Sequence, residues 1–392
     1  MCLFTGEISE MQKKEIKSLS QLPVMPLTIQ DMTWNNTGTW RVLTPLLKDK
    51  TPPCRAACPI GNPVPHFIEA VKLGEVSRAL ELLLRTNPLP GITGRLCYHP
   101  CQTNCLRKEL DENIAIQELE KYVADHGDVT DLGRSPAKGR KIAVAGAGPA
   151  GLACGYFLGL EGYEVTIFEP TDRAGGFLNL VGANRLDRAI LDREITRLVK
   201  LSGLVLKVNV RHPPASDFDL VLTDESAYAP GSASDQAVRT LASGGKNLLS
   251  SLVDRDFSGF KPVQIARAVA LGAQMAEAAG KRLAGRSHDG RVADDVLITS
   301  DDIKFSRFQK TAAPARSGKK GDLSPAEAVT EAERCLSCGT CNLCQLCTIA
   351  CPDACLDLDE SGQRVVIDLF HCKGCGICAY ECPRGVLVME NE

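Results

Sequence analysis

The sequence has 392 residues, room for two or three domains at about 150 residues each, so a small disulfide-stapled scaffold is excluded. Hydrophobic residues make up 44% and charged ones 24%, with 45 Lys+Arg against 48 Asp+Glu. That balance excludes a disordered chain and a strongly basic nucleic-acid surface.

No apolar run approaches the roughly 18 residues of a bilayer span, and the opening MCLFTGEISEMQKK has no apolar signal region. A cytoplasmic protein without membrane insertion is the expectation. Cysteine is the anomaly, with 18 in all: five fall between Cys54 and Cys105, 11 between Cys335 and Cys382, and only Cys2 and Cys154 lie outside. Thiols spaced two and three residues apart converge on metal more readily than they pair with one another, so metal is favoured over disulfides.

In chain order, the segment Asn36-Thr-Gly-Thr-Trp-Arg41 comes first, and its bland reading is a capped loop around a buried Trp40. Cys54-x3-Cys58-Pro59 is next, and some forty residues later Gly94-Arg-Leu-Cys97-x3-Cys101-x3-Cys105. Between them, apolar residues at helical spacing predict two short helices, broken at Gly74 and closed by Pro88. Five thiols exceed the need of one [4Fe-4S] cluster and fall short of two. One cluster is expected here, with Cys58, Cys97 and Cys101 as ligands and the fourth open among Cys54, Cys105 and a non-thiol. His99 reads as a supporting residue.

Lys141–Ala145 reads as a buried strand, followed at once by Gly146-x-Gly148-x-x-Gly151, a helix, a second strand Glu164–Phe168, and Glu169. This is the order of a dinucleotide-binding turn. The glycines allow the tight turn and the close approach of a pyrophosphate, the helix N-terminus favours phosphate, and an acid about 20 residues on holds a ribose. Cys154 falls on the apolar helix as a core residue. Phe218–Asp224 predicts a further strand, and Pro262–Leu283 a long helix. Residues 284–323, charged and dotted with Gly and Pro, read as a linker that wraps or tethers the cysteine-rich tail; His288-Asp-Gly290 within it reads as a turn. Ser324-Pro-Ala-Glu327 is a capping box that starts a helix carrying Cys335 and Cys338 forward. Whether those two thiols are ligands or structural is open, as is the role of Cys355.

The tail is the most specific signal. Cys341-x2-Cys344-x2-Cys347-x3-Cys351-Pro352 is repeated as Cys372-x2-Cys375-x2-Cys378-x3-Cys382-Pro383. In this run the cysteine before proline ligates the other cluster. Cys341, Cys344, Cys347 and Cys382 therefore form one [4Fe-4S] set, and Cys372, Cys375, Cys378 and Cys351 its neighbour. Arg364–Asp368 reads as a strand between the runs, and Gly374 and Gly376 let backbone amides approach the sulfurs. Zinc fits worse, since it takes isolated sets of four and leaves the crossed repeat unexplained.

Gly146-Ala-Gly-Pro149-Ala150-Gly-Leu152, then Asp172-Arg173-Ala-Gly175-Gly176, Arg185-Leu186 and Asp192-Arg-Glu-Ile195, resembles the FAD half of the glutamate synthase small-subunit family. That family includes the N-terminal half of dihydropyrimidine dehydrogenase, and the cysteine region stands before the FAD domain there too. The resemblance covers roughly residues 51–283. It implies FAD held by Gly146, Gly148, Pro149, Ala150, Gly151, Glu169, Arg173, Gly175, Gly176 and Arg185. Members that use NAD(P)H insert a second nucleotide domain after an Ala-Thr-Gly strand. Here Phe218–Asp224 lacks that tripeptide, and only about 40 residues, with Gly244-Gly245 among them, separate it from the helix that looks like the domain's closing one. Asn36–Arg41 is similar to the opening of the ferredoxin-like delta subunit of 2-oxoacid:ferredoxin oxidoreductases, as is the tail from Arg334.

The fold expected is α/β with a helical iron–sulfur domain (51–130), a reduced Rossmann-like FAD domain (131–283) and a bacterial-type two-cluster ferredoxin domain (324–392). Residues 1–50 form an extension that docks to another subunit. No nucleophile elbow, thiamine signature or zinc protease motif points to a catalytic residue. The expectation is an electron-transfer subunit of a multisubunit anaerobic oxidoreductase of the 2-oxoacid:acceptor class, with FAD, two C-terminal clusters and one N-terminal cluster. Its partners are the other subunits and, in one version, soluble ferredoxin. The competing readings are an NAD(P)H:acceptor flavoenzyme, a flavin-bifurcating subunit, and a scaffold without redox function.

Overall fold

The computed structural model describes residues 37–211, 213–223, 248–250, 263–284, 296–314 and 322–392. Asn36, Asp224, Gly244, Gly245 and the turn at 288–290 lie outside them.

A short 3-10 turn, Thr37–Trp40, leads into strand β1, Leu43–Leu47. The cysteine-bearing helices follow: α1 (Pro53–Ala57), α2 (Val64–Lys72), α3 (Val76–Leu84), α4 (Pro90–Leu96), α5 (Pro100–Thr103) and α6 (Ile116–His126). The break between α2 and α3 is Gly74, whose φ of +75° suits a residue without a side chain. Proline at the first turn starts α1, α2, α4 and α5 without the loss of a helical hydrogen bond. Phe67, Leu80, Leu83, Ile92, Leu119 and Val123 are completely or almost completely buried, and they close this helical layer onto one core.

The α/β part runs β2 (Lys141–Ala145), α7 (Pro149–Leu160), β3 (Glu164–Phe168), α8 (Arg188–Ser202), β4 (Val205–Lys207), β5 (Leu220–Thr223), β6 (Leu248–Ser250) and α9 (Val263–Leu283). Its five strands are parallel in the order β4-β3-β2-β5-β6. The order reverses at β2, and a ligand crevice forms beyond the carboxyl ends of strands at such a point. Helix α9 lies tight on α7, because Gly272 lets the two backbones meet where a side chain would collide with Ala150 and Ala153.

The tail comprises α10 (Pro325–Glu333), α11 (Leu346–Ala350), β7 (Leu356–Leu358), β8 (Val365–Ile367), α12 (Ile377–Glu381) and β9 (Leu387–Asn391). The capping box of α10 is present, with Ser324 accepting from the Glu327 amide and Glu327 from the Ser324 amide. The front of the chain is not a free extension in the described residues. β1 pairs antiparallel with β9, Leu43 opposite Asn391 and Leu47 opposite Leu387, in a two-stranded sheet separate from that of β7 and β8. The Gly38 amide and Thr37 hydroxyl donate to the carbonyls of Phe370 and His371. Trp40 stays 63% exposed, against the buried-Trp reading of that loop. Residues 296–314 wrap the same module: Leu297 bridges to Thr51, and the Lys304 amide donates to the Pro383 carbonyl. The chain is thus a helical layer, a five-stranded parallel α/β domain and a small cysteine-rich α+β tail.

Candidate iron–sulfur and dinucleotide sites

The two ferredoxin runs share one backbone design. In the second, Gly374 and Gly376 have φ of +70° and +79°; in the first, Leu343 and Gln345 hold the same two positions at +58° and +59°. A left-handed conformation costs a residue with a side chain about 1 kcal/mol, so that conformation is kept in the first run against a penalty. The structure brings the crossed sets together. Cys341 has Cys344 and Cys382 as its electrostatic neighbours, and Cys347 has the same two. Cys378 faces Cys372, Cys375 and Cys351. A cavity between the last four is walled by their side chains with Pro45 and Gly374. Burial raises the thiols of Cys341 and Cys347 and pushes that of Cys378 up to about 11. Bunched thiols in an apolar pocket resist ionisation until cations compensate them, so this donor set fits a cluster that binds with release of protons. Cys355 is buried beside Cys351, to whose sulfur its amide donates at 3.3 Å, and lies outside the crossed eight.

The five N-terminal cysteines divide. Cys58 ends α1, Cys97 ends α4, and Cys101 sits on α5. These three face one another and the carboxylate of Glu120, and burial pushes the Cys97 thiol up to about 12. Glu120 is buried and held on every side. It accepts from Asn87 Nδ2 at 3.0 Å and from Thr93 Oγ1 at 2.5 Å, and it pairs with His99 Nε2 at 3.2 Å, whose Nδ1 meets the Cys97 carbonyl at 2.9 Å. His99 is thus the supporting residue expected, and Glu120 is the residue the sequence reading missed. Its signal was a charge inside the apolar stripe Ile116, Leu119, Val123 of α6. Three thiols and one carboxylate can hold a four-iron cluster.

Cys54 and Cys105 do not join that group. They lie with Cys335 and Cys338, brought in from the far end of the chain. The five N-terminal thiols are thus not gathered at one point: Cys58, Cys97 and Cys101 face Glu120, and Cys54 faces Cys105, Cys335 and Cys338. Among the described residues no three His, Cys, Asp or Glu converge as they would on one metal ion. That holds for the crossed ferredoxin sets as well, and a four-iron cluster spreads its ligands more widely than a single ion does.

At the dinucleotide turn, Gly146 has φ +107° and its amide donates to the Phe168 carbonyl at 2.7 Å. Glu169 is buried; one oxygen accepts from the Ala147 amide at 2.8 Å and the other from the Thr171 amide and hydroxyl. It therefore braces the glycine turn from the end of β3. The Gly175 amide donates to the Ala147 carbonyl, and a side chain at Gly176 would stand 3.0 Å from the Gly148 Cα. Residues 172–176 so fold onto the turn, and Gly148 opens α7 with no side chain in the way of a phosphate. Arg173 and Arg185 are exposed at this end. The turn fits a dinucleotide pyrophosphate.

Comparison with known proteins agrees with the geometry. Residues 46–131 match the family described as dihydropyrimidine dehydrogenase domain II, 4Fe-4S cluster; residues 144–183 match the NAD(P)-binding Rossmann-like domain; and residues 340–386 match the 4Fe-4S dicluster domain. The chain thus carries a 4Fe-4S domain, a Rossmann-like dinucleotide domain and a 4Fe-4S dicluster domain, in that order. Among its relatives, NADPH-Fe(3+) oxidoreductase subunit beta of Geobacter sulfurreducens is 39% identical over 152 residues, 37% of this chain and 23% of that protein. NADP(+)-dependent formate dehydrogenase subunit beta of Moorella thermoacetica is 35% identical over 41% of this chain and 26% of its own length. Glutamate synthase [NADPH] small chain of Bacillus subtilis is 39% identical over 37% of this chain and 30% of its own. The matched part is thus less than a third of each of these relatives. No helix among the described residues is long and apolar enough to cross a membrane.

Proposed function

We propose that the chain is the FAD-carrying and iron–sulfur electron-transfer subunit of a multisubunit oxidoreductase, working beside a subunit that holds the substrate, of the 2-oxoacid:acceptor type. The observation that carries this is the short path from β5 to α9. Only about 40 residues lie between the strand where relatives of the glutamate synthase type insert a nicotinamide domain and the helix that closes on α7. Such an insertion needs a domain's worth of chain, so electrons reach this flavin from another protein.

A flavin exchanges electrons singly or in pairs, and each cluster carries one at a time. The chain's own task is to hold these groups in series and keep water from them. The glycine turn and Glu169 seat the dinucleotide, and the thiols at the ends of α1 and α4 and on α5 stand on the domain that packs against α8. The parallel reading, a flavoenzyme reduced directly by NAD(P)H, draws on the printed names of the relatives and of the Rossmann-like family. Anaerobic mixing of the purified chain with NADPH or NADH separates the two. The proposal expects FAD on extraction and no bleaching by either nucleotide within minutes, with full bleaching by dithionite. Bleaching by a nucleotide, or cluster-loaded protein without flavin, overturns it.

A further inference from the structure

Cys355 is the thiol that the crossed ferredoxin sets leave over. It is 3% exposed and packs in the core of the module with Cys347, Cys372 and Cys378. It also walls the cavity among Cys351, Cys372, Cys375 and Cys378, where its electrostatic neighbours are Cys351 and Cys372. Its sulfur donates only to the Asp353 carbonyl, at 3.4 Å, a weak bond from a weak donor.

The internal repeat of the module shows what kind of position this is. Both runs end in Cys-Pro, and three residues after that cysteine the backbone is left-handed in each, at Ala354 with φ +49° and at Gly385 with φ +68°. The next residue turns inward in both copies, Cys355 in the first and Val386, 2% exposed, in the second. A small apolar side chain therefore fills the position, and a buried thiol packs as one, so packing alone does not call for cysteine. Ala354 holds its left-handed shape against a penalty of about 1 kcal/mol that glycine escapes. That shape aims the Cys355 amide at the Cys351 sulfur, 3.3 Å away. On its other side the Cys355 carbonyl accepts from the Asp368 amide at 2.7 Å, which ties the residue to the end of β8. The backbone is thus fixed against the Cys351 sulfur, and rotation about the Cα–Cβ bond is the freedom left to the Cys355 thiol.

We propose that Cys355 is a reserve ligand of the cluster assigned to Cys351, Cys372, Cys375 and Cys378, its sulfur able to take the place of the Cys351 sulfur.

In that exchange the iron–sulfur bond to Cys351 breaks and the one to Cys355 forms. The proton of the Cys355 thiol passes to the Cys351 sulfur, and no electron is gained or lost. The spare thiol lets this half of the module keep its cluster when the Cys351 sulfur is lost or oxidised. The other half, with Val386 at the matching place, has no such substitute there. The proposal rests on the crossed assignment of Cys351.

Iron and sulfide counts with EPR of the reduced, anaerobically purified full chain test it. Cys351→Ala is expected to keep the iron content of the unmodified chain and to change the signal of one cluster. Cys351→Ala/Cys355→Ala is expected to lose about one to four irons, a corner or the whole cluster, and Cys382→Ala to lose as much. Cys355→Ala alone should lose none. Equal iron in the Cys351→Ala single and double variants, whether kept or lost, overturns the proposal, as does an unchanged cluster signal in Cys351→Ala. If the variants do not accumulate, the same chains refolded and reconstituted with ferrous iron and sulfide give the comparison. None of these readouts is activity or flavin, so a negative result leaves the electron-transfer reading standing.

Discussion

Glu120 sits in the apolar stripe of α6 with its carboxylate turned to three thiols and bonded to His99, Asn87 and Thr93. Removing the carboxylate takes a buried partner from Asn87, Thr93 and His99 at once, at about 1 kcal/mol each. Glu120→Ala is expected to lower stability by about 3 kcal/mol and to empty the Cys58 set of iron. Glu120→Gln, keeping one acceptor and the shape, is expected to retain the iron with an altered EPR spectrum. Thermal unfolding and iron counts on the pair check this, and equal losses in both would argue that shape alone matters. Asp111 carries a second prediction. The Arg107 guanidinium, bonded to it at 2.7 Å, holds its carboxyl well below the usual carboxylate range, against the effect of burial. A carboxyl lowered on folding stabilises above its unfolded value of about 3.9, and that contribution is lost as pH falls toward the folded value. The stability gap between the unmodified chain and Asp111→Asn should be about 2 kcal/mol at pH 7 and should narrow steadily between about pH 5 and pH 3; a gap independent of pH would assign it to packing. Neither residue was read from the sequence. A lone acid in a helical stripe is a weak signal, and partners 200 residues away, such as Thr311 for Asp111, leave no local one.

Between elements, the contact of α4 with α8 sets the cluster domain against the Rossmann-like domain. Glu194 is completely buried on α8; it accepts from the Gly91 amide at 2.7 Å and from Arg197 at 2.6 Å. Beside it Asp125 accepts from Arg95 and Arg193 at 2.6 and 2.7 Å, tying α4, α6 and α8. Gly91 is part of the fit, since a Cβ there would stand 2.6 Å from the Glu194 carboxyl carbon. Glu194→Ala leaves the buried Gly91 amide without its acceptor and the Arg197 charge with only the Ala124 carbonyl, at about 3–5 kcal/mol. The expected result is faster hydrogen exchange over residues 90–96 and 188–202, with the ferredoxin tail unaffected; unchanged exchange in both helices would show that packing alone holds the contact. The elements themselves were legible. The glycine turn between two apolar strands, the capping box at Ser324 and the break at Gly74 are each set by neighbours in sequence, and each appears where local chemistry puts it. The partners of α4 were not, because the partner of a buried acid is chosen by the packing of whole helices.

Across the whole molecule, the chain closes on itself through β1 and β9, and residues 37–47 serve the ferredoxin domain at the other end. The dicluster domain was legible because its cysteine runs recur at fixed short spacing. The clasp was not, because Leu43 and Asn391 are nearly the length of the chain apart and β1 is a short, Pro-interrupted strand. Its role is set by the surface it covers. Pro45 lines the cavity among Cys351, Cys372, Cys375 and Cys378, and Leu47 packs on the core of that module. Arg41 donates to the Leu369 carbonyl at 2.6 Å and pairs with Glu392 at 2.5 Å. A chain begun at Thr51 leaves β9 as an unpaired edge and opens that cavity to solvent, and exposed clusters are the ones that oxygen reaches. Its second ferredoxin cluster should bleach several-fold faster in air than in the full chain, while flavin content and the signal of the Cys58 set stay the same. The decay of the visible cluster absorbance with time measures this directly. Equal decay would mean that β1 only docks on an already closed module; faster loss of every cluster would mean instead that the front segment supports the whole fold.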